Sequence, residues 1–143
     1  RLQPVLDTTI RAKELGLHIE TVTLVIPGLN DSIEEMEGLI DWVIANLGPD
    51  TPMHFTRFHP DFRMTERQAT PIKTLENIYE RAKEKGLKYP YLGNVGGHKY
   101  EHTYCPECGE IVINRAGYSV HTDNLNETNC AYCGEPIAVV INR

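Results

Sequence analysis

The sequence predicts an α/β fold in which three strands of a parallel sheet, each reached through a helix, precede a small β unit built around cysteines. Three observations predict it. Helix-like and strand-like segments alternate through the first 97 residues, and the crossover rules turn that order into βαβ units on one parallel sheet. Gly93-Asn94-Val95-Gly96-Gly97 is too glycine-rich to continue regular structure, so the organisation changes near Gly97. Beyond it, Cys105-x-x-Cys108-Gly109 and Cys130-x-x-Cys133-Gly134 are two matching turns, with 21 residues (109 to 129) between them, close to the usual spacing of a four-cysteine zinc site. Residues 1–97 therefore read as one unit and residues 98–143 as a second.

Each element has its own signal. Pro4 suits a first helical position, Val5, Leu6, Ile10 and Lys13 mark one face, and Gly16 stops a short helix. Leu17 to Ile26 carries β-branched residues in a run that turns almost wholly apolar before Pro27-Gly28, as a buried parallel strand does. Asn30, Asp31 and Ser32 are helix-capping types, and Ser32 with Glu35 has capping-box spacing ahead of Ile33, Met36, Leu39, Ile40, Val43 and Leu47 at helical period. Gly48-Pro49 ends that helix. Met53 to His59 is the next strand, closed by Pro60, and a loop runs from Asp61 to Ala69. Thr70 is expected to cap a third helix with Pro71 at its first position, Ile72, Leu75, Ile78, Tyr79 and Ala82 along one face, and Gly86 as terminator. Leu87 to Leu92 returns as a strand, and three such strands make half of a (β/α) barrel. In the second unit, Ile111-Val112-Ile113 and Tyr118-Ser119-Val120 flank Arg115-Ala116-Gly117 as a hairpin, and Ile137 to Ile141 adds a strand, giving a small zinc ribbon.

Charge narrows the partners. The 143 residues hold 14 Lys and Arg against 20 Asp and Glu, a net charge of −6, with a pI near 5.5. Nucleic acids and anionic membranes are gripped through clustered Lys and Arg, so neither is favoured. The second unit has Lys99, Arg115 and Arg143 against Glu101, Glu107, Glu110, Asp123, Glu127 and Glu135, and four thiolates on one divalent ion add further negative charge. It reads as a fold element or a protein-docking surface. No apolar run approaches a membrane span. No signal peptide opens the sequence either, and a cytoplasmic chain is expected. Beginning in mid-pattern without an initiator methionine, it reads as the carboxyl-terminal part of something longer.

Two groups of residues carry chemistry. In MHFTRFHP, Met53 to Pro60, apolar residues alternate with His54, Thr56, Arg57 and His59, and ligands in parallel α/β folds gather at the carboxyl ends of strands. Arg57 and His59 are therefore candidates to face a bound small molecule, against the alternative of a satisfied histidine and a surface arginine. For Cys105, Cys108, Cys130 and Cys133, structural zinc competes with a redox iron site, an auxiliary iron-sulfur cluster, and a disulfide or dithiol switch. A closed four-thiolate site holds structure and leaves no position open for substrate. His98, His102 and His121 lie nearby, and His98-x-x-x-His102 has a spacing that metals use, but four cysteines already complete a tetrahedron. These histidines read as surface residues.

The blocks TLVIPGLNDS (Thr23 to Ser32), PMHFTRFHPDFRM (Pro52 to Met64), TP followed by TL (Thr70 to Leu75), GLKYPYLGNV (Gly86 to Val95) and the tail YCPECG…INRAGY follow one another along nearly the whole chain. Together they resemble the carboxyl-terminal half of a radical S-adenosylmethionine enzyme, and more narrowly the relatives of pyruvate formate-lyase activating enzyme of the AmmeMemoRadiSam type. That resemblance implies a TIM-like half-barrel in which Ile26, Pro27 and Gly28 lie beside the adenine of S-adenosylmethionine, His59 comes under it, and Thr56 and Arg57 line the same pocket. Asn94 matches the family's pattern without an assigned task. The whole enzyme would cleave S-adenosylmethionine reductively at a 4Fe-4S cluster, giving a 5′-deoxyadenosyl radical for hydrogen abstraction, with Memo-like proteins among its possible partners or substrates. The family's C-x-x-x-C-x-x-C run is absent from these residues, so this chain alone is expected to be inactive. Two other readings stand beside it. One is a non-enzymatic zinc-ribbon docking module in which Arg57 and His59 are structural; the other is a (β/α) barrel acting on a phosphorylated or acidic ligand through Arg57 and the glycine-rich joint.

Overall fold

A computed structural model describes residues 2–140. Helix α1 (Gln3–Glu14) opens with a proline in its first turn and buries none of its side chains. In α2 (Ile33–Leu47), Ser32 caps the start by accepting the Glu35 amide at 3.2 Å. Met36, Ile40, Val43 and Leu47 recur at helical period and form its buried stripe. Helix α3 (Ile72–Glu84) buries Leu75, Ile78, Tyr79 and Ala82. Strands β1 (Thr21–Val25), β2 (Met53–Arg57) and β3 (Pro90–Gly93) pair in parallel in that order.

Strand alternation then sorts the side chains between two faces. Val25, Met53, Phe55 and Leu92 join the stripes of α2 and α3 in the main core. Each large apolar side chain buried there contributes roughly 1.5–3 kcal/mol. The register aligns Val22, His54 and Tyr91 in one row on the opposite face, and Leu24, Thr56 and Gly93 in the next.

β1 is shorter and wetter than its composition suggests. Val22 is 70% and Leu24 43% exposed, because helices cover one face of the sheet and nothing among the described residues covers this part of the other. β2 stops at Arg57 and not at His59, since the next amide, that of Phe58, goes to the Thr70 hydroxyl. That hydroxyl is where the sequence reading of the α3 start fails. Pro71 is the N-cap and no side chain caps the helix, while Thr70 is fully buried and turned toward the sheet.

The second unit begins with a 3-10 turn (Lys99–Glu101). β4 (Thr103–Tyr104), β5 (Ile111–Ala116) and β6 (Ser119–His121) form an antiparallel sheet, and the β5–β6 pair is the expected hairpin, turning at Gly117-Tyr118. A second hairpin, β7 (Leu125–Asn126) with β8 (Asn129–Cys130), was not legible, for its turn places Glu127 at a positive φ of 57° that its residue type does not favour. No strand forms over the described part of the expected Ile137 to Ile141 run. Pro136 makes one isolated bridge to Asn129, and the Val139 amide turns back onto the Ile137 carbonyl at 2.8 Å. Ile141 lies outside the described residues.

Tyr89 and Tyr91 reach from the sheet into a second core with Cys105, Val112, Ile113, Cys130 and Ile137. The cysteine unit thus packs against the amino-terminal side of β3. No helix among the described residues is long and apolar enough to cross a membrane.

Candidate functional site

The four cysteines converge. Their sulfur atoms all lie within 4.8 Å of one another, with Cys105 Sγ 3.6 Å from Cys133 and Cys108 Sγ 3.7 Å from Cys130. Four thiolates about 2.3 Å from a tetrahedral ion stand about 3.8 Å apart, so these separations fit one metal ion such as zinc. Two matching turns produce this. The Cys105 amide donates to the Glu110 carbonyl and the Cys130 amide to that of Glu135, both at 2.8 Å, while Gly109 and Gly134 donate back to Cys105 and Cys130. Gly109 and Gly134 take φ of +77° and +81°, where a side chain would be strained, which is why each motif ends in glycine.

All four thiols are free, and their crowding splits their acidities. Desolvation pushes the Cys130 thiol up, but the Cys133 and Tyr132 amides and its neighbouring thiols outweigh it and bring it down to about 7. At Cys133 the Glu135 amide favours the thiolate, yet desolvation and three adjacent sulfurs drive it up to about 12. A cation bound among the sulfurs would displace the protons that the raised thiols keep.

The nearby histidines are occupied elsewhere. His98 Nδ1 accepts the Tyr100 amide at 3.2 Å and its Nε2 meets Glu76 at 3.3 Å, while His102 Nδ1 accepts the Arg115 amide at 3.1 Å. His98 therefore braces the joint between units and His102 braces the second unit itself, so neither is a plain surface residue. His121 is exposed.

At the carboxyl ends of β1 and β2, Ile26, Pro27 and Gly28 form a turn fastened from two sides. Ile26 donates to Asn30 Oδ1 and Gly28 to Asp31 Oδ1, both at 2.7 Å, and Arg67 Nη1 donates to the Pro27 carbonyl at 2.7 Å. A Cβ on Gly28 would stand 3.1 Å from that guanidinium, so the arginine lies directly over the bare glycine. Thr56 lies on the open face, against Gly93, whereas alternation sends Arg57 the other way, where its Nε donates to the Thr70 carbonyl at 2.9 Å. Asn94 donates to the Arg57 carbonyl at 3.3 Å. His59 is exposed and makes no hydrogen bond among the described residues. The two strand ends are thus brought side by side, with Arg57 as a brace behind them.

Two hollows lie elsewhere. One of about 870 Å³, mostly apolar, opens along β1 between α1 and α2 beside Val5, Ile19, Val22, Leu39 and Trp42. The other, about 290 Å³, lies between the cysteine unit and the sheet and is lined by His18, Glu20, His54, Tyr91 and Arg115. His54, and not His59, is the engaged histidine of the strand: its Nε2 meets Glu20 at 2.9 Å, its ring stacks on Tyr91 at 4.9 Å, and His18 Nε2 meets the other Glu20 oxygen at 3.1 Å.

Partial burial alone would raise Glu20, but the hydrogen bonds and charges of His18 and His54 prevail and hold its carboxyl below the usual 4.5. A carboxyl lowered by folding stabilises the fold above its unfolded pKa, and that contribution fades as pH falls through the folded value. Glu20→Gln is therefore expected to lower stability near pH 6 by no more than about 1 kcal/mol, given its exposure. The gap from wild type should close in denaturant titrations run below pH 4.5. A gap that widens toward acid would contradict the assignment.

An alignment over 142 residues at 46% identity relates the chain to an uncharacterized protein of Methanocaldococcus jannaschii, covering 98% of this chain and 43% of that protein. The chain thus spans less than half the length of that relative. No protein-family model and no solved structure matches it.

Proposed function

We propose that this chain is the carboxyl-terminal part of a radical S-adenosylmethionine enzyme related to pyruvate formate-lyase activating enzyme, its sheet half of a TIM-like barrel and its cysteine unit a structural zinc ribbon. One observation carries the reading: two adjacent parallel strands end together in Ile26-Pro27-Gly28 and Phe58-His59, locked to each other through Thr70 and Arg67. Most of the polar backbone of that turn is already satisfied and Arg67 lies over Gly28, so it offers a stiff preformed wall, apolar at Ile26 and Pro27, with the exposed His59 two residues beyond the end of β2. Flat heterocycles are bound in this way, by preformed apolar surface and a few polar groups.

The half-barrel reading draws support from the sheet. Helices α2 and α3 cover one face, the other exposes Val22 and Leu24, and the outer edge of β1 faces an apolar hollow, as in a sheet that continues. The residues here do not suit a 4Fe-4S cluster of the radical type, for all four cysteines belong to the tail and none to a C-x-x-x-C-x-x-C run. S-adenosylmethionine, when bound, supplies the hydrogen-abstracting chemistry. This chain's part is to wall the adenine with Ile26 to Gly28, to orient it with His59 and Thr56, and to stiffen the wall from behind with Arg57.

Calorimetry on the full-length protein tests this. His59→Ala is expected to weaken S-adenosylmethionine binding about tenfold, roughly 1.4 kcal/mol, without shifting the melting temperature. Failure of the wild type to bind S-adenosylmethionine would overturn the reading. It would favour instead a docking module, whose candidate surface is the exposed Tyr118, Val120 and Tyr132 of the cysteine unit.

A further inference from the structure

We propose that His18, Glu20 and His54 form a second metal site, separate from the cysteines, for a divalent transition ion of the zinc, cobalt or nickel kind. Alternate residues of an extended segment share a face, so His18 and Glu20 point the same way as Val22, which pairs with His54 across the sheet. The fold therefore delivers two imidazoles and a carboxylate to one spot, a donor set suited to borderline divalent ions.

The spacing is close to what an ion needs. Donors each about 2.1 Å from one metal, at angles of 90–110°, stand roughly 3.0–3.4 Å apart. Here His18 stands 3.1 Å from Glu20 Oε1 and His54 2.9 Å from Oε2, so each imidazole faces its own oxygen of one carboxylate. The carboxylate now holds the two imidazoles through their protons, and an ion would replace those protons. Bringing both imidazoles onto one ion requires His18, whose side chain is 40% exposed, to turn toward His54.

The second histidine is held more firmly. Its ring stacks on Tyr91, whose hydroxyl meets Thr103 Oγ1 at 2.9 Å, and Arg115 donates to the same Oγ1 at 2.8 Å while lying over the tyrosine ring. Three protein donors leave a coordination position open toward the 290 Å³ hollow, and the guanidinium of Arg115 in its wall favours an anionic fourth ligand. The cysteine unit thus contributes the back wall of a site whose donors all come from the sheet unit.

The test uses the whole chain with its cysteine group filled by zinc, titrated with cobalt(II). A further equivalent is expected, giving visible d–d absorption without a thiolate-to-cobalt charge-transfer band. Binding should weaken at least tenfold in His18→Ala, which is too exposed to endanger the fold, and equally in His54→Ala. Absence of the extra equivalent overturns the proposal, as does undiminished binding in both variants. A thiolate band alone, meaning cobalt has only displaced zinc from the cysteines, overturns it as well.

Discussion

Stripping the ion from the four cysteines is expected to unfold the second unit and to loosen the sheet beside it, forfeiting on the order of 10 kcal/mol of binding free energy. The size follows from how little else holds that unit together. Apart from β5, its strands are two or three residues long, and its core is Val112, Ile113 and Ile137 gathered around Cys105, Cys130 and two tyrosines. Without a cation, four sulfurs packed within 4.8 Å repel one another where they ionise and cross-link nothing where they do not. Because Tyr89 and Tyr91 come from the sheet unit, the damage should spread to β3, and near-ultraviolet circular dichroism of the tyrosines should fall with the metal content. Cys130→Ser, at a buried ligand, should reproduce the effect. Metal analysis is expected to find one tightly held ion per chain at the cysteines. A chelated chain that keeps its tyrosine signal and melting temperature would sink the idea. Colour separates the two metals that suit four sulfurs: a colourless protein holds zinc and a red one iron.

How far the sequence led depended on the range of the signal. The helical periods of α2 and α3 and the paired C-x-x-C-G turns are local patterns, and each element appeared where its pattern lay. Val22 and Leu24 were read as buried because apolar side chains imply a cover, but periodicity cannot say which residues supply it. The direction of Arg57 was within reach. Counting by twos from Met53 and Phe55 puts it on the helix side, away from Thr56. The pairing of His54 with Glu20 was not, since it depends on a strand register set by residues 34 positions apart. The four candidate ligands emerged together because paired C-x-x-C-G turns fix their own backbone, whereas the strand ends depend on Arg67, drawn from a loop with no motif of its own.

Replacing Thr70 with valine is expected to cost about 2–4 kcal/mol, from two buried backbone groups left unpaired at roughly 1–3 kcal/mol each. Thr70 is completely buried and joins two strand ends. Its hydroxyl donates to the Val25 carbonyl at 2.6 Å and accepts the Phe58 amide at 3.0 Å. Its own amide reaches the Phe58 carbonyl at 3.1 Å, and its carbonyl receives Arg57. Valine keeps the shape, so no cavity opens and the loss isolates the hydroxyl. Thr70→Ser makes the opposite exchange, keeping the hydroxyl and losing a methyl worth about 1 kcal/mol. Serine should therefore be milder than valine, although valine is the more apolar residue at a site without solvent. Were Thr70 a helix cap, as its place before Pro71 suggests, serine would cost almost nothing and valine only about 1 kcal/mol. Urea denaturation of the two variants separates these cases by rank as well as size. If the strand ends form the adenine wall, valine should also weaken S-adenosylmethionine binding in the full-length protein, and serine should not. Both effects have one cause, the coupling of β1 to β2 through a single hydroxyl.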